Sequence, residues 1–358
     1  MKSSDCLTQD LQAICAAVQI KSADLIVFAG KPYSVDPLPD LAQADISQER
    51  TKEDEFSYRW RHLIHRLTRL IYKHGYIRST EFGLGGQGAE TESCQVSEKP
   101  PAKPLRLREA NHTQDAWDHG WKVYHIANDG RAFVQKADRT RVVVPGTFYS
   151  PKMLMPSLKI GDEVGVRVFA STAQEIETFF HSFGSYLSDQ FDEFTKLRFY
   201  FHVKAASAES LLAQLSTILN RYRIPFHFKT LGNSEAYTRA DAAVLYVAKR
   251  YMQIVAALIP DIVVGSGASL GKEIPMFTKW IMPGVGMAEE VSDEESFGMH
   301  RSRLVAEALV YAWTCGHQDQ EQKMEAIAQS FAEKGICLEQ PYLNPQSIDL
   351  LGDSESVK

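Results

Sequence analysis

Residues 197–229 read LRFYFHVKAASAESLLAQLSTILNRYRIPFHFK and constrain this chain more than any other segment. The run from Arg198 to Lys204 alternates strictly, as does the shorter run from Phe226 to Lys229. Successive side chains of a strand point to opposite faces, so Phe199, Phe201 and Val203 share one face. Arg198, Tyr200, His202 and Lys204 share the other, and His227 with Lys229 repeat the arrangement. Between the two runs, Leu211, Leu212, Leu215, Ile218 and Leu219 recur at helical spacing. The segment therefore predicts strand, helix, strand, with one aromatic face to bury and a second face of cations, a phenol and imidazoles. A helix of this length between strands predicts a crossover that sets the two strands side by side in one sheet.

The rest of the 358-residue chain is long enough for a sizeable core and two domains. Its 44% hydrophobic and 23% charged content is that of a soluble globular protein. A formal net charge of -6 argues against a general nucleic-acid binder, while leaving room for a local basic pocket. The five cysteines are scattered and lack metal-ligand spacing, which fits reduced thiols in a cytoplasm. No apolar run approaches the roughly 20 residues that span a bilayer, and Asp5 and Asp10 do not suit a secretory signal.

Helices are expected over residues 5–19 and 56–74, the second closed by Gly75, with a Pro-containing irregular connection over 31–47. Residues 83–104, rich in Gly, Ser, Glu and Pro, read as a linker. This divides the chain into a mainly helical region 1–82, the linker 83–104, and a domain 105–358 of class α+β with a mixed sheet and packed helices. Within that domain Asn128-Asp129-Gly130 signals a hairpin, and strands are expected at 141–144, 164–169, 242–247 and 262–264. Thr172 and Glu175 form a capping-box pattern ahead of a helix expected to carry Phe179, Phe180, Phe183 and Phe191. Further helices are expected at 251–259, 299–313 and 321–334.

Two glycine-rich segments invite nucleotide readings. Gly83 to Gly88 matches G-x-G-x-x-G, but a helix precedes it and the linker follows, opposite to what a dinucleotide site needs. Residues 265–272 follow an apolar run, yet Ser266 and Glu273 depart from the Walker pattern and Pro275 stops a helix. His62 and His65 lack a carboxylate or Cys to complete a metal site and read as part of a solvated basic face. No metal is implied.

A cationic set remains: Arg198, His227, Lys229, Arg239, Lys279, Arg301 and Arg303, with Tyr200 and His202. Lys279 stands among apolar residues, where an ammonium needs a partner. Arg301 and Arg303 stand in the first turn of a predicted helix, where cations oppose the macrodipole and an anion would relieve them. Residue chemistry leaves two readings open: a phosphate site, or ion pairs with Asp241, Glu289, Glu290, Glu294 or Glu295.

Five blocks carry a resemblance to a known family. Residues 198–203 (RFYFHV), 226–229 (FHFK), 237–247 (YTRADAAVLYV), 275–279 (PMFTK) and 296–301 (SFGMHR) resemble the HopA-type effector family. That family was first met among type III secretion effectors of plant pathogens. Related proteins sit in gene clusters for ribosomally made peptides, including thioamitides and lanthipeptides. The family is distantly similar to phosphothreonine lyases, so the resemblance implies their kind of α+β fold. It also implies β-elimination of phosphate from phosphoserine or phosphothreonine of a peptide, after a partner kinase, giving a dehydroamino acid.

Such chemistry asks for a base at Cα, cations for the leaving phosphate and an acid for its oxygen, with no organic or metal cofactor. On the first strand Arg198 and Tyr200 stand where phosphothreonine lyases carry Lys and His. Lys229, two residues after His227, resembles the second basic strand and is the candidate base. Like charges from Arg198 and Arg239 would favour its neutral form. Tyr200, then His202, are the candidate acids; Arg198, His227, Arg239, Lys279, Arg301 and Arg303 are candidate phosphate ligands. Two classes compete with the lyase: a phosphopeptide- or kinase-binding scaffold that uses the same pocket without turnover, and an effector that binds a host protein. Neither nucleic acid nor membrane is expected as a partner, and the expected location is the cytoplasm.

Overall fold

The structure, a computed structural model, describes residues 3–35, 52–78, 105–149, 158–171, 179–291 and 295–352. The linker 83–104, its G-x-G-x-x-G, and the Thr172–Glu175 capping box lie outside the described residues. The fold is α+β, as expected, and the strand pairing described is antiparallel rather than that of the mixed sheet expected from the sequence. Among the described residues, no helix is long and apolar enough to cross a membrane. Two compact units account for the chain: Met1–Ser97 with Thr238–Asp241 and Lys272–Lys358, and Glu98–Tyr237 with Ala242–Gly271.

The first unit opens with the helix Ser3–Ala17, which buries Leu11, Ile14 and Cys15. An antiparallel meander follows: β1 (Val18–Ser22), β2 (Leu25–Phe28) and β3 (Lys31–Ser34). The strand at residues 31–34 replaces the irregular connection expected from its proline. Pro32 sits on the end strand of the three, where a missing N–H is tolerated. The helix Lys52–Ile71 buries Leu63, Leu67, Leu70 and Ile71 on one face. It runs on into a π-turn, Tyr72–Tyr76, rather than ending at Gly75. Gly75 is buried there, and a Cβ in its place would lie 3.0 Å from Ile14 Cδ1. His62 is also buried rather than on a solvated face. A hairpin (Lys279–Met282 and Val285–Glu289) and the helices Phe297–Thr314 and Gln320–Glu333 complete this unit. Ser296 caps the first of these helices, its Oγ accepting from the Met299 N–H.

The second unit contains two sheets. In the first, β4 (Ala116–Ile126), β5 (Ala132–Lys136), β6 (Arg139–Val143), β7 (Phe148–Tyr149) and β8 (Glu163–Val168) lie in the order β6-β5-β4-β8-β7. Asn128-Asp129-Gly130 turns β4 into β5, as its sequence predicts. Trp121, Val123, Val134, Val143, Val164 and Val166 form a buried cluster on this sheet.

In the second sheet, β9 (Phe179–Phe183), β10 (Lys196–Phe201), β11 (His227–Leu231) and β12 (Ala243–Ala248) run in the order β10-β12-β11-β9. The strand–helix–strand of residues 197–229 forms as expected, with the helix Ala205–Arg221 between its strands. The two strands are not neighbours, however. β12 lies between them and is antiparallel to both, a split strand–helix–strand arrangement. Leu197, Phe199, Phe201, Phe228 and Leu245 are fully buried on the apolar face. Burying each side chain of this size contributes about 1.5–3 kcal/mol.

Two local expectations are overturned here. Residues 179–183 form strand β9 rather than helix, because Phe-Phe-His-Ser-Phe pairs along β11 and aromatic residues suit a pleated surface. Residues 262–264 belong to the helix Met252–Ser266, which runs through Pro260, rather than to a strand. A short apolar run has no periodicity that separates the two states. The glycine-rich segment after it therefore follows a helix, which removes the strand a phosphate loop requires.

Candidate functional site

Strand register gathers four of the sequence-predicted residues in the second unit. Arg198 pairs with Tyr246, Tyr246 with His227, and His227 with Phe183, giving one row across four strands. Tyr200 pairs with Val244, Val244 with Lys229, and Lys229 with His181, giving the next row on the same face. Strand spacing puts the Tyr200 and Lys229 backbones about 10 Å apart across Val244.

The first row is a stack of planar groups. The Arg198 guanidinium carbon lies 5.1 Å from the Tyr246 ring centroid. The His227 ring lies 4.9 Å from Tyr246 at 14°, and 4.8 Å from Phe183 at 19°. Arg198 is only 8% exposed, so this stack holds a nearly buried cation over an aromatic face. In the second row, Lys229 Nζ lies 4.0 Å from the Phe179 ring centroid. Tyr200 is buried.

His227 is not a cation near neutral pH. Burial, then the charges of His181, Lys196, Lys229 and Arg198, push its pKa down to about 3. Its Nε2 is 2.8 Å from His181 Nδ1, so the two rings share a single hydrogen bond. A neutral His227 offers an anion a hydrogen bond rather than a charge. His202 follows the end of β10. Its carbonyl accepts from the Gly271 N–H at 2.7 Å, and its ring packs where a Gly271 Cβ would stand.

A cleft of about 410 Å³ opens on this face between the two sheets of the unit. Lys196, His227 and Tyr246 contribute from one side, Arg141 on β6 and Arg167 on β8 from the other.

The other four predicted cations lie in the first unit, each with partners of its own. Arg239 makes a two-pronged ion pair with Asp241 and donates to Tyr72 Oη at 3.0 Å. Burial works against its charge, but the Asp241 carboxylate leaves its pKa raised. Lys279 donates to Asp349 Oδ2 at 2.6 Å and to the Gly352 carbonyl at 2.7 Å. Arg301 is fully buried; it donates to the carbonyls of Pro341 and Leu343 at 2.8 and 2.9 Å and lies 2.7 Å from His300 Nδ1. Arg303 pairs with Glu295 and Glu307. The helix begins at Phe297, so Arg301 and Arg303 stand beyond its first turn.

The sequence reading gave no role to Tyr246, His181 or Lys196. Tyr246 was visible only as the centre of an apolar strand. His181 was hidden by the helical reading of residues around it. Among the described residues, no group of His, Cys, Asp and Glu is placed to hold a metal ion.

Residues 172–343 match the HopA1 effector protein family, so the resemblance read from the sequence holds over that segment. No curated protein matches the chain. Two solved structures are similar. The effector protein from Pseudomonas syringae pv. tomato strain DC3000 has 20% identity and a TM-score of 0.38. The effector protein from Pseudomonas syringae pv. syringae strain 61 has 16% identity and a TM-score of 0.37. Each similarity covers 47% of this chain and 63% of the effector, less than two thirds of the effector's length.

Proposed function

We propose that this chain, which matches the HopA1 effector protein family over residues 172–343, is a phosphoserine/phosphothreonine lyase acting on a phosphorylated peptide. One observation carries the reading: Arg198, His227, Lys229 and Tyr200 stand in two adjacent rows of a single sheet face, beside a cleft with further cations.

In the proposed reaction Lys229 takes the Cα proton, and the freed electron pair forms the Cα–Cβ double bond. The Cβ–oxygen bond breaks, and phosphate leaves with that bond's electrons. Arg198 holds the phosphate, with a hydrogen bond from neutral His227. A proton from Tyr200 or His202 assists the departing oxygen. To serve as further phosphate ligands, Arg239, Lys279, Arg301 and Arg303 would have to exchange Asp241, Asp349, two carbonyls, and Glu295 with Glu307 for phosphate. The substrate arises by phosphoryl transfer to Ser or Thr, the reaction of a partner kinase in the cytoplasm. No organic or metal cofactor enters any step.

A specific contact favours the second reading, a phosphopeptide-binding module without turnover. The Phe179 ring face attracts the Lys229 ammonium, and an ammonium cannot accept a proton. Titration calorimetry with a phosphothreonine peptide, followed by ³¹P NMR of the same sample in chelator, separates the two. Free phosphate together with a dehydroamino acid in the peptide supports the lyase; heat of binding with the phosphoester intact supports the binder.

A further inference from the structure

We propose that the cleft of the second unit is a groove for an extended, acidic peptide segment. The cleft of about 410 Å³ continues into a neighbouring one of about 450 Å³; both are lined by Val168, Tyr186, Leu187 and Pro225. Cations recur along this trough: Arg141, Arg167 and Lys196 in the first part, Lys136, Arg139, Arg223 and Arg250 in the second. Among the described lining residues, Asp118 and Asp192 are the acidic ones. Such a concentration of positive charge in a chain of net charge -6 is complementary to an anionic partner.

Arg223 is the sharpest feature. It follows the helix Ala205–Arg221 and its cap Tyr222, and it has a φ of 57°. Its N–H bonds the Asn220 carbonyl and the Ile224 N–H bonds the Leu219 carbonyl, the two bonds of a Schellman ending. Glycine is the residue favoured at that left-handed position. An arginine there is held against local preference. Its exposed guanidinium has no ion pair or hydrogen bond among the described residues, unlike Arg250 on Asp192 or Lys136 on Asp118. A carboxylate of a bound peptide would supply the missing partner.

The walls suit a peptide better than a nucleic acid. β6 is an end strand of its sheet, and Val142 on it and Val144 just after it are 39% and 47% exposed. An end strand offers backbone hydrogen bonds to an added strand, and the valines offer contacts to alternate side chains. Because His227 and Lys196 line the same trough, a peptide lying in it would run onto the Arg198–Lys229 face. As a substrate-guiding groove this rests on the lyase reading; as a groove for acidic peptide it does not.

The test uses the full chain and fluorescence anisotropy with a labelled, unphosphorylated peptide of alternating Glu and Val. Binding is expected, weakening with added salt, and absent for the Lys/Val counterpart. Arg223→Gly is expected to raise the thermal midpoint, since glycine suits the position, while weakening peptide binding about five-fold. Arg223→Glu should weaken it further. Equal affinity for the Lys/Val peptide, unchanged binding in Arg223→Gly, or tighter binding of a single-stranded oligonucleotide would overturn the groove. Elimination from phosphopeptides with neutral and with acidic flanks separates the two proposals. Turnover with no gain from acidic flanks sinks the groove alone; acidic-peptide binding without turnover sinks the lyase alone.

Discussion

His181 Nδ1 and His227 Nε2 lie 2.8 Å apart on paired strands β9 and β11, although the register sets His181 opposite Lys229. The bond is therefore diagonal, and it ties together the two rows that hold Arg198 and Lys229. It also gives neutral His227 a partner that a charged ring beside Lys196, Lys229 and Arg198 would not keep cheaply.

That arrangement sets a pH dependence. His227 has a folded pKa of about 3, below the roughly 6.5 of an unfolded histidine. Between those values the unfolded chain binds a proton that the folded chain does not. Its contribution to stability is present in full above pH 6.5 and falls as pH drops toward 3, with a slope approaching 1.4 kcal/mol per pH unit, roughly. His300, lowered to about 4 by burial and by Arg301 and Arg303, adds a loss of the same sign. Urea unfolding at a series of pH values should show stability falling with acid, and His227→Asn should flatten the His227 share. An unchanged slope in the variant would contradict the buried, neutral His227.

Arg301 should matter first for folding. Arg301→Met leaves the Pro341 and Leu343 carbonyls buried without their donor. Loss of a buried charged donor of this kind costs about 3–5 kcal/mol. Denaturant unfolding should report a loss of that size, with phosphate in the buffer making no difference. A stable variant with selectively weakened phosphate binding would instead place Arg301 among the phosphate ligands.

Gly271 offers a way to move His202 without replacing it. A Cβ at Gly271 would stand 2.3 Å from His202 Nδ1, so Gly271→Ala must displace the ring. The expected result is a shifted His202 ring resonance and a stability loss of about 1–3 kcal/mol. If His202 is the acid, elimination falls at least ~100-fold while Tyr200→Phe has little effect. The reverse ranking assigns the proton to Tyr200.

The residues show where sequence reasoning reached and where it stopped. Strand, helix, strand over residues 197–229 was legible because alternation and helical spacing are local signals. The place of β12 between the two strands was not, because sheet order is decided by pairings far apart in sequence. The same limit hid the site's composition. Tyr246 became the centre of the Arg198–His227 stack only through register, and His181 joined it once Phe179–Phe183 formed a strand. Ion pairing divided the cations more plainly. Asp241, which pairs with Arg239, and Glu295, which pairs with Arg303, were among the acids named from the sequence without being assigned to a cation, whereas Asp349, which pairs with Lys279, was not among them.

The most direct test of the account is the mass of a phosphothreonine or phosphoserine peptide after incubation with the protein in chelator. A lyase with Lys229 as its base gives loss of the mass of phosphoric acid, a product that adds thiols as a dehydroamino acid does, and no such loss with Lys229→Ala. Peptides that stay intact with the wild-type protein across acidic and neutral flanks, or a product carrying a restored hydroxyl, would contradict it.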